Sequence, residues 1–318
     1  MDIYAPVKPL FKETIEICIP LFKILVPMII VIKVLKETGL VSILGNLLEP
    51  LMVLTGVPGA MGLAWASALA TNLYGGVIVF ATLASDVDMT IAQATVLTSM
   101  MLMAHGFPVE LQVAKKAGTR IRAMLLFRFG AALLFGIFLN VFYKAFNFLQ
   151  EPVKILYTPE VRNDSIFSWA YGEVTNLVYI AFIILCLVAL MKIFKKLGII
   201  NLINLACKPM LKLMGIGEQA AYVTMVGFTL GLTYGGGLII KEAKSGSMTH
   251  RDVFFGLGFM GICHSMVEDT ILMMAIGGDI TGILILRTIF SILLVGVLMR
   301  LSAAIPDKIF YRWLFVSE

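Results

Sequence analysis

Charge is what this sequence has little of. Only 14% of its 318 residues are Asp, Glu, Lys or Arg, 59% are hydrophobic, and mean hydropathy is +0.95. Soluble domains carry roughly 25% charged residues, so a water-soluble globular fold is excluded. Histidine is scarcer still, with three in the chain. The four cysteines, Cys18, Cys186, Cys207 and Cys263, are scattered without a C-x-x-C pair. They read as small apolar residues, and only Cys263 stands beside other polar chemistry. No G-x-x-x-x-G-K-[ST] loop and no H-E-x-x-H occurs, which removes P-loop nucleotide chemistry and a compact zinc motif. No basic patch is interleaved with aromatics, so the formal net charge of +5 points to positive loops at a membrane surface and away from nucleic acid. The opening MDIYAPVKPLFKETIE is polar and mixed in charge, with no small-residue cleavage site after the first apolar run; a signal peptide is not expected.

What the chain does have is a succession of apolar segments, each ~20 residues long, the length of a helical span. Barrel strands would be about ten alternating residues. The expected fold class is an all-α polytopic membrane protein with about eight to ten transmembrane helices.

The segments repeat. Displacing the sequence by 159 positions, the separation of His105 and His264, also brings Arg128 onto Arg287, Gly39 onto Gly198, Pro50 onto Pro209, Gly56 onto Gly215 and Glu110 onto Asp269. Met89-Thr90 falls on Met248-Thr249, and with a one-residue gap Tyr74-Gly75-Gly76 meets Tyr234-Gly235-Gly236. Self-similarity at a fixed period marks a duplicated unit. The expected organisation is a first repeat over 12–143, a polar linker over 144–167, a second repeat over 168–303 and a tail over 304–318. Each repeat has a long apolar helix, a shorter amphipathic segment with a proline (40–56 and 198–215), a Gly-containing apolar segment, a His-containing segment and a long helix with an Arg. Whether 40–56 and 198–215 cross the membrane is open at this level.

Loop charge gives the direction of the halves. Before the His segment the first half has acidic SDVD and the second basic KEAKSGSMTHRD; after it, KKAGTRIR is basic and GGDI is not. Cytoplasmic loops collect Lys and Arg, so equivalent loops fall on opposite sides. The repeats are expected to be inverted in topology, with both termini and the tail cytoplasmic, the linker outside, and the whole chain in the cytoplasmic (inner) membrane. Inverted repeats with Gly-broken or re-entrant segments at matching places are a secondary-transporter pattern.

Two constellations carry the candidate site. One is the pair of breaks, ATNLYGGVI and GLTYGGGLI, with Asn72, Tyr74, Gly75, Gly76, Thr233, Tyr234, Gly235, Gly236 and Gly237. Consecutive glycines free the backbone, and freed helix ends can hold ions or polar groups; small residues at close helix contacts are the plain alternative. The other is MAHGFPVELQ and CHSMVEDTI, which supply His105, Glu110, His264, Glu268 and Asp269. On an unbroken helix His264 and Glu268 share a face; in the first copy Pro108 disfavours helix in the residue before it. Three readings fit these groups: solvated helix ends, a proton or cation relay, or a site for zinc, iron or manganese. Arg128 and Arg287 either snorkel or pair with the acids or an anion. Asn72, Thr233 and Thr270 line the same cavity or make interhelical hydrogen bonds. His250, in the basic loop, reads as solvated.

The lead-ins LGNLLEPLMVLTGVPG and LINLACKPMLKLMGIG, each followed by an N/T-x-Y-G-G-type break and a His-containing helix, resemble the gate or nucleoside-recognition domain membrane proteins, a family similar to the spore maturation A and B proteins and the membrane part of ferrous iron permeases. The likeness covers both halves. It implies transport without fixing a substrate, and the GTPase of the iron permeases is missing here. The expectation is a non-enzymatic secondary transporter, ion-coupled or facilitative, of a small solute or ion, with its site between the repeats. No cofactor is expected beyond a coupling proton or sodium ion. The bilayer is a partner, nucleic acid is not, and homo-oligomerisation is left open. The alternatives are an intramembrane metalloenzyme using His105, His264 and the acids, a divalent metal permease, and a structural subunit.

Overall fold

The computed structural model describes residues 7–84, 86–153, 165–199, 202, 205, 209, 213–230 and 232–316, with backbone only for 7, 8, 218, 219, 229, 230 and 232–235. The described residues form helices joined by short turns. α1 (Val7–Glu37) and α2 (Leu40–Leu54) lead, followed by a 3-10 turn (Gly59–Met61), α3 (Gly62–Ala70), α4 (Leu73–Leu83), α5 (Ile91–Met103), α6 (Phe107–Lys116) and α7 (Ile121–Ala145). After the linker come α8 (Ile166–Lys196), α9 (Glu218–Leu230), α10 (Leu232–Ser245), α11 (His250–Ile262), α12 (Glu268–Ala275), a π-helical stretch (Thr281–Leu286), α13 (Arg287–Ala303) and α14 (Asp307–Trp313).

The all-α polytopic class stands, and the way the chain fills the bilayer is distinctive. Four stretches are long and apolar enough to cross alone: Pro9–Glu37, Ile121–Ala145, Ile166–Lys196 and Thr281–Ala303. Leu40–Leu54 and Gly59–Ala70 reach that length and hydropathy only together and are bent by 99° at the break between them, the geometry of a broken span or a re-entrant loop. Among the described residues, the remaining helices read from sequence as further crossings are half-length. A 13-residue helix such as α5 reaches only ~20 Å, short of a hydrocarbon core about 30 Å thick. These halves meet end to end at breaks, and the breaks build the site.

The displacement of 159 positions that aligns residues also aligns elements. α1 and α8 begin and end at matching positions, as do α5 and α11. Both α5 and α11 start on a threonine N-cap. Thr90 accepts from Gln93 N–H in a capping box, and Thr249 accepts from Asp252 N–H, each satisfying an amide that the first turn would leave bare. The turns at Gly118 and Gly277 share φ +95°, a left-handed conformation that glycine adopts without strain. The equivalent long helices α1 and α8 pack antiparallel. Glu13 near the start of α1 bonds Lys192 near the end of α8 at 2.6 Å, and Lys33 near the end of α1 lies over the Trp169 ring near the start of α8. Cys18, Leu21, Leu25, Ile29, Ile180 and Ile184 close the seam.

A single larger core joins elements of both halves, from Met52 and Trp65 to Phe259 and Phe310. The linker region enters it: Val153 N–H bonds Met89 O at 2.9 Å before the chain passes outside the described residues at 154–164. The tail is docked. Val316 N–H bonds Gly118 O, Arg120 N–H bonds Leu314 O, and Arg251 of α11 bonds Ser302 O, Ile305 O and Asp307. His250, expected to be solvated, is exposed yet stacks on Phe315 with ring centroids 4.4 Å apart and bonds the Tyr311 hydroxyl. The reason is the docked tail, which brings its aromatic residues over the start of α11.

Candidate functional site

The site is built on two helix ends. α5 stops at Met103 because Gly106 takes a left-handed turn (φ +60°) and Pro108 then starts α6. The released backbone is satisfied by α3: Trp65 Nε1 donates to Ala104 O at 3.2 Å, and Gly106 N–H bonds Ala68 O at 2.8 Å. Non-helical backbone at membrane depth survives only when buried in protein in this way. Trp65 is 2% exposed and stacks on Phe129. The second end is at Ile262, and the chain passes through Ser265 at φ +47° before α12.

At each end the histidine folds back on its own helix. His105 Nδ1 lies 2.9 Å from Met101 O, and His264 Nδ1 lies 2.6 Å from Met260 O. A carbonyl oxygen only accepts, so both Nδ1 atoms carry a proton, and in the neutral imidazoles both Nε2 atoms present lone pairs. The two rings face each other with centroids 5.1 Å apart. Glu110, from the first turn of α6, sits against both: Oε1 is 3.4 Å from His105 Nε2 and 3.7 Å from His264 Nε2. Its other oxygen is ion-paired with Arg128 of α7. Arg128 is 1% exposed, lies over the Phe107 ring, and runs past Gly261 of α11, where a Cβ would stand 2.8 Å from its Cδ. The reading of these groups as solvated helix ends is therefore corrected. They are at helix ends, but His105 and His264 are buried and Glu110, Glu268 and Asp269 only partly exposed, while the snorkelling reading of Arg128 and Arg287 fails because both are buried too.

The second half adds Glu268, Asp269 and Arg287. Tyr74 of α4 donates its hydroxyl to Glu268 Oε1 at 3.3 Å. A ligand atom from each of His105, His264 and Asp269 lies within 4.8 Å of the others. The shared helical face of His264 and Glu268 does not form, because α11 ends before His264 and the left-handed Ser265 re-aims the chain. The pairing across halves, His264 with Glu110 and Tyr74 with Glu268, takes its place. Arg287 is fully buried with Nη2 3.1 Å from Met266 Sδ and no carboxylate partner among the described residues. A π-helical stretch immediately precedes it, where α7 before Arg128 is α-helical throughout. A π turn rotates the helix beyond it, and such turns recur at functional sites. Thr270 is buried in α12, with its hydroxyl unpartnered among the described residues.

The glycine breaks fall differently from the sequence expectation. The chain breaks at Thr71 and Asn72, and Asn72 Oδ1 caps α4 by accepting from Gly75 N–H. Tyr74-Gly75-Gly76 forms the first turn of that helix, because a side-chain cap satisfies the amides that the glycines would otherwise leave free. Gly75 and Gly76 are places of close approach: a Cβ on Gly76 would stand 2.9 Å from Ala64 O and 2.7 Å from Ala68 Cβ. Gly76→Val is accordingly expected to cost about 1–3 kcal/mol by overpacking α4 against α3, read as a lower melting temperature in detergent; an unchanged melting temperature would show that the α3–α4 contact is not tight. In the second copy α10 begins at Leu232, with Gly236 buried and Gly237 exposed. The side chains of Thr233 and Tyr234, and the contacts of Gly235, lie outside the described residues. Sequence reasoning missed Trp65; its signal was an indole N–H in an apolar segment, which needs an acceptor when buried.

Broken half-helices around a buried charged cluster define a polytopic α-helical membrane protein with a site assembled from both halves of its chain. Residues 18–120 match the model of the Gate family, described as nucleoside recognition. The chain is 25% identical over 276 residues to "Uncharacterized membrane protein YvoD" of Bacillus subtilis (strain 168), which covers 86% of this chain and 87% of that protein. No solved structure matches it.

Proposed function

We propose that the chain is a secondary transporter of a small solute, ion-coupled or facilitative, whose site lies between two inverted repeats, 12–143 and 168–303. The observation that carries the reading is the meeting of His105 and His264, two residues at equivalent positions of the halves, with rings 5.1 Å apart and identical anchoring to their own helices. Buried ionisable groups in a membrane are costly and mark ion or substrate paths, and an enzyme has little use for both copies. The antiparallel packing of α1 against α8 supports the inversion. With the loop charges, it favours cytoplasmic termini in the inner membrane. Glu110, Glu268, Asp269 and the two histidines are the coupling or binding groups, and Tyr74 ties the α4 break to them.

The test uses purified protein in liposomes offered labelled nucleosides, organic acids and amino acids under an imposed proton or sodium gradient. At least one solute is expected to be taken up, to above the outside concentration if transport is ion-coupled and to equilibrium if it is facilitative, and a His264→Ala/Glu268→Gln variant that inserts and melts normally is expected to lose most of that uptake. A variant that moves solute as fast as the wild type would sink the site assignment.

A further inference from the structure

We propose that His105, His264, Glu110 and Asp269 together bind one divalent first-row transition-metal ion. This deepens the transport reading by naming the class of ion at its site, and it rests on that reading only for the ion's role in transport.

The argument starts from the hydrogen atoms. With Nδ1–H of each histidine donated to a carbonyl, the two Nε2 lone pairs and the Glu110 Oε1 lone pairs point at one another across 3.4 and 3.7 Å. Electron pairs at that range repel in a dry site unless a proton or a metal cation stands between them. Arg128 takes the other Glu110 oxygen and lies on the far side. Arg287 faces Met266.

The donor set then selects the cation. Two imidazole nitrogens with carboxylate oxygens suit zinc, iron or manganese, whereas calcium and magnesium sites are all oxygen. A ligating histidine that gives its second N–H to a backbone carbonyl is the usual outer support of a metal site, and both histidines do so. Asp269 supplies a further oxygen, its ligand atom within 4.8 Å of those of both histidines. Metal–nitrogen bonds of about 2.0–2.1 Å bring donors to roughly 3.4 Å apart, which the His105–Glu110 pair already matches. A proton needs only two of these groups. Donors arriving from α6, α12 and the two helix ends are more than a proton uses. A bound metal ionises the carboxylates it binds, and with all three acids ionised Glu110, Glu268 and Asp269 outnumber Arg128 and Arg287 by one.

The test strips the detergent-purified full chain of metal and titrates it with Co²⁺, following visible absorption and bound metal by elemental analysis. One equivalent per chain is expected, displaced by Zn²⁺, with a raised melting temperature. X-ray absorption of the zinc-loaded wild type is expected to show two imidazole ligands at about 2.0 Å. His105→Gln and His264→Gln are each expected to weaken binding about 10-fold or more, while His250→Ala leaves it unchanged. The absence of stoichiometric Co²⁺, an all-oxygen shell around zinc, or binding that both glutamine variants retain would overturn the proposal. Gradient-driven uptake by a chain that binds no metal would remove the metal site and leave the transport reading standing.

Discussion

Replacing Glu110 with glutamine is expected to lower the free energy of unfolding by about 3–5 kcal/mol, because it leaves the Arg128 guanidinium buried without a counter-charge. Arg128 is 1% exposed and packed between the Phe107 ring and Gly261, so it cannot reach water without moving α7. The measurement is reversible unfolding in mixed micelles, or the melting temperature in detergent. The companion variant Glu110→Gln/Arg128→Met separates structure from function. With both charges gone the buried pair is replaced by groups that need no partner, and most of the stability is expected to return. Solute uptake is not expected to return with it, since Glu110 Oε1 is the atom between the histidines. A single Glu110→Gln variant as stable as the wild type would show that the pair is solvated.

Trp65→Ala is expected to cost about 3 kcal/mol, the lower end for removing a buried tryptophan, because neighbouring lipid is as apolar as the core and only the packing and cavity contributions remain. The indole fills a fully enclosed position and its Nε1–H satisfies Ala104 O, next to His105. Its loss therefore strands a carbonyl at the break and frees the histidine it precedes. Trp65→Phe, which keeps most of the volume and deletes the donor, is expected to cost less stability than Trp65→Ala while still lowering uptake. Equal uptake by Trp65→Phe and the wild type would show that the Ala104 carbonyl is held without the indole.

The residues of the cluster were legible in the sequence because ions in apolar helices need a reason. His105, Glu110, Arg128 and His264 stood out by rarity and by the 159-residue displacement, and they meet. The break after His105 was legible too, since Gly106 and Pro108 are local breakers. The break around His264 was not: CHSMVED contains no glycine or proline, and Ser265 is held left-handed by its surroundings alone. That single turn invalidates the i, i+4 geometry of His264 and Glu268. The Gly75-Gly76 pair misled for a related reason. Glycines permit a break or a close contact, and here Asn72 takes the break and leaves the contact to them. Partners such as Tyr74 with Glu268, 194 residues apart, arise from tertiary packing and leave no local trace.

The docked end of the chain has a mechanical meaning. Residues 314–316 bond the turn between α6 and α7 through Gly118 and Arg120, while Arg251 at the start of α11 grips residues 302–307. The last few residues thus tether the His105 side of the molecule to the His264 side. Moving the turn between α6 and α7 away from the start of α11 would therefore break these bonds.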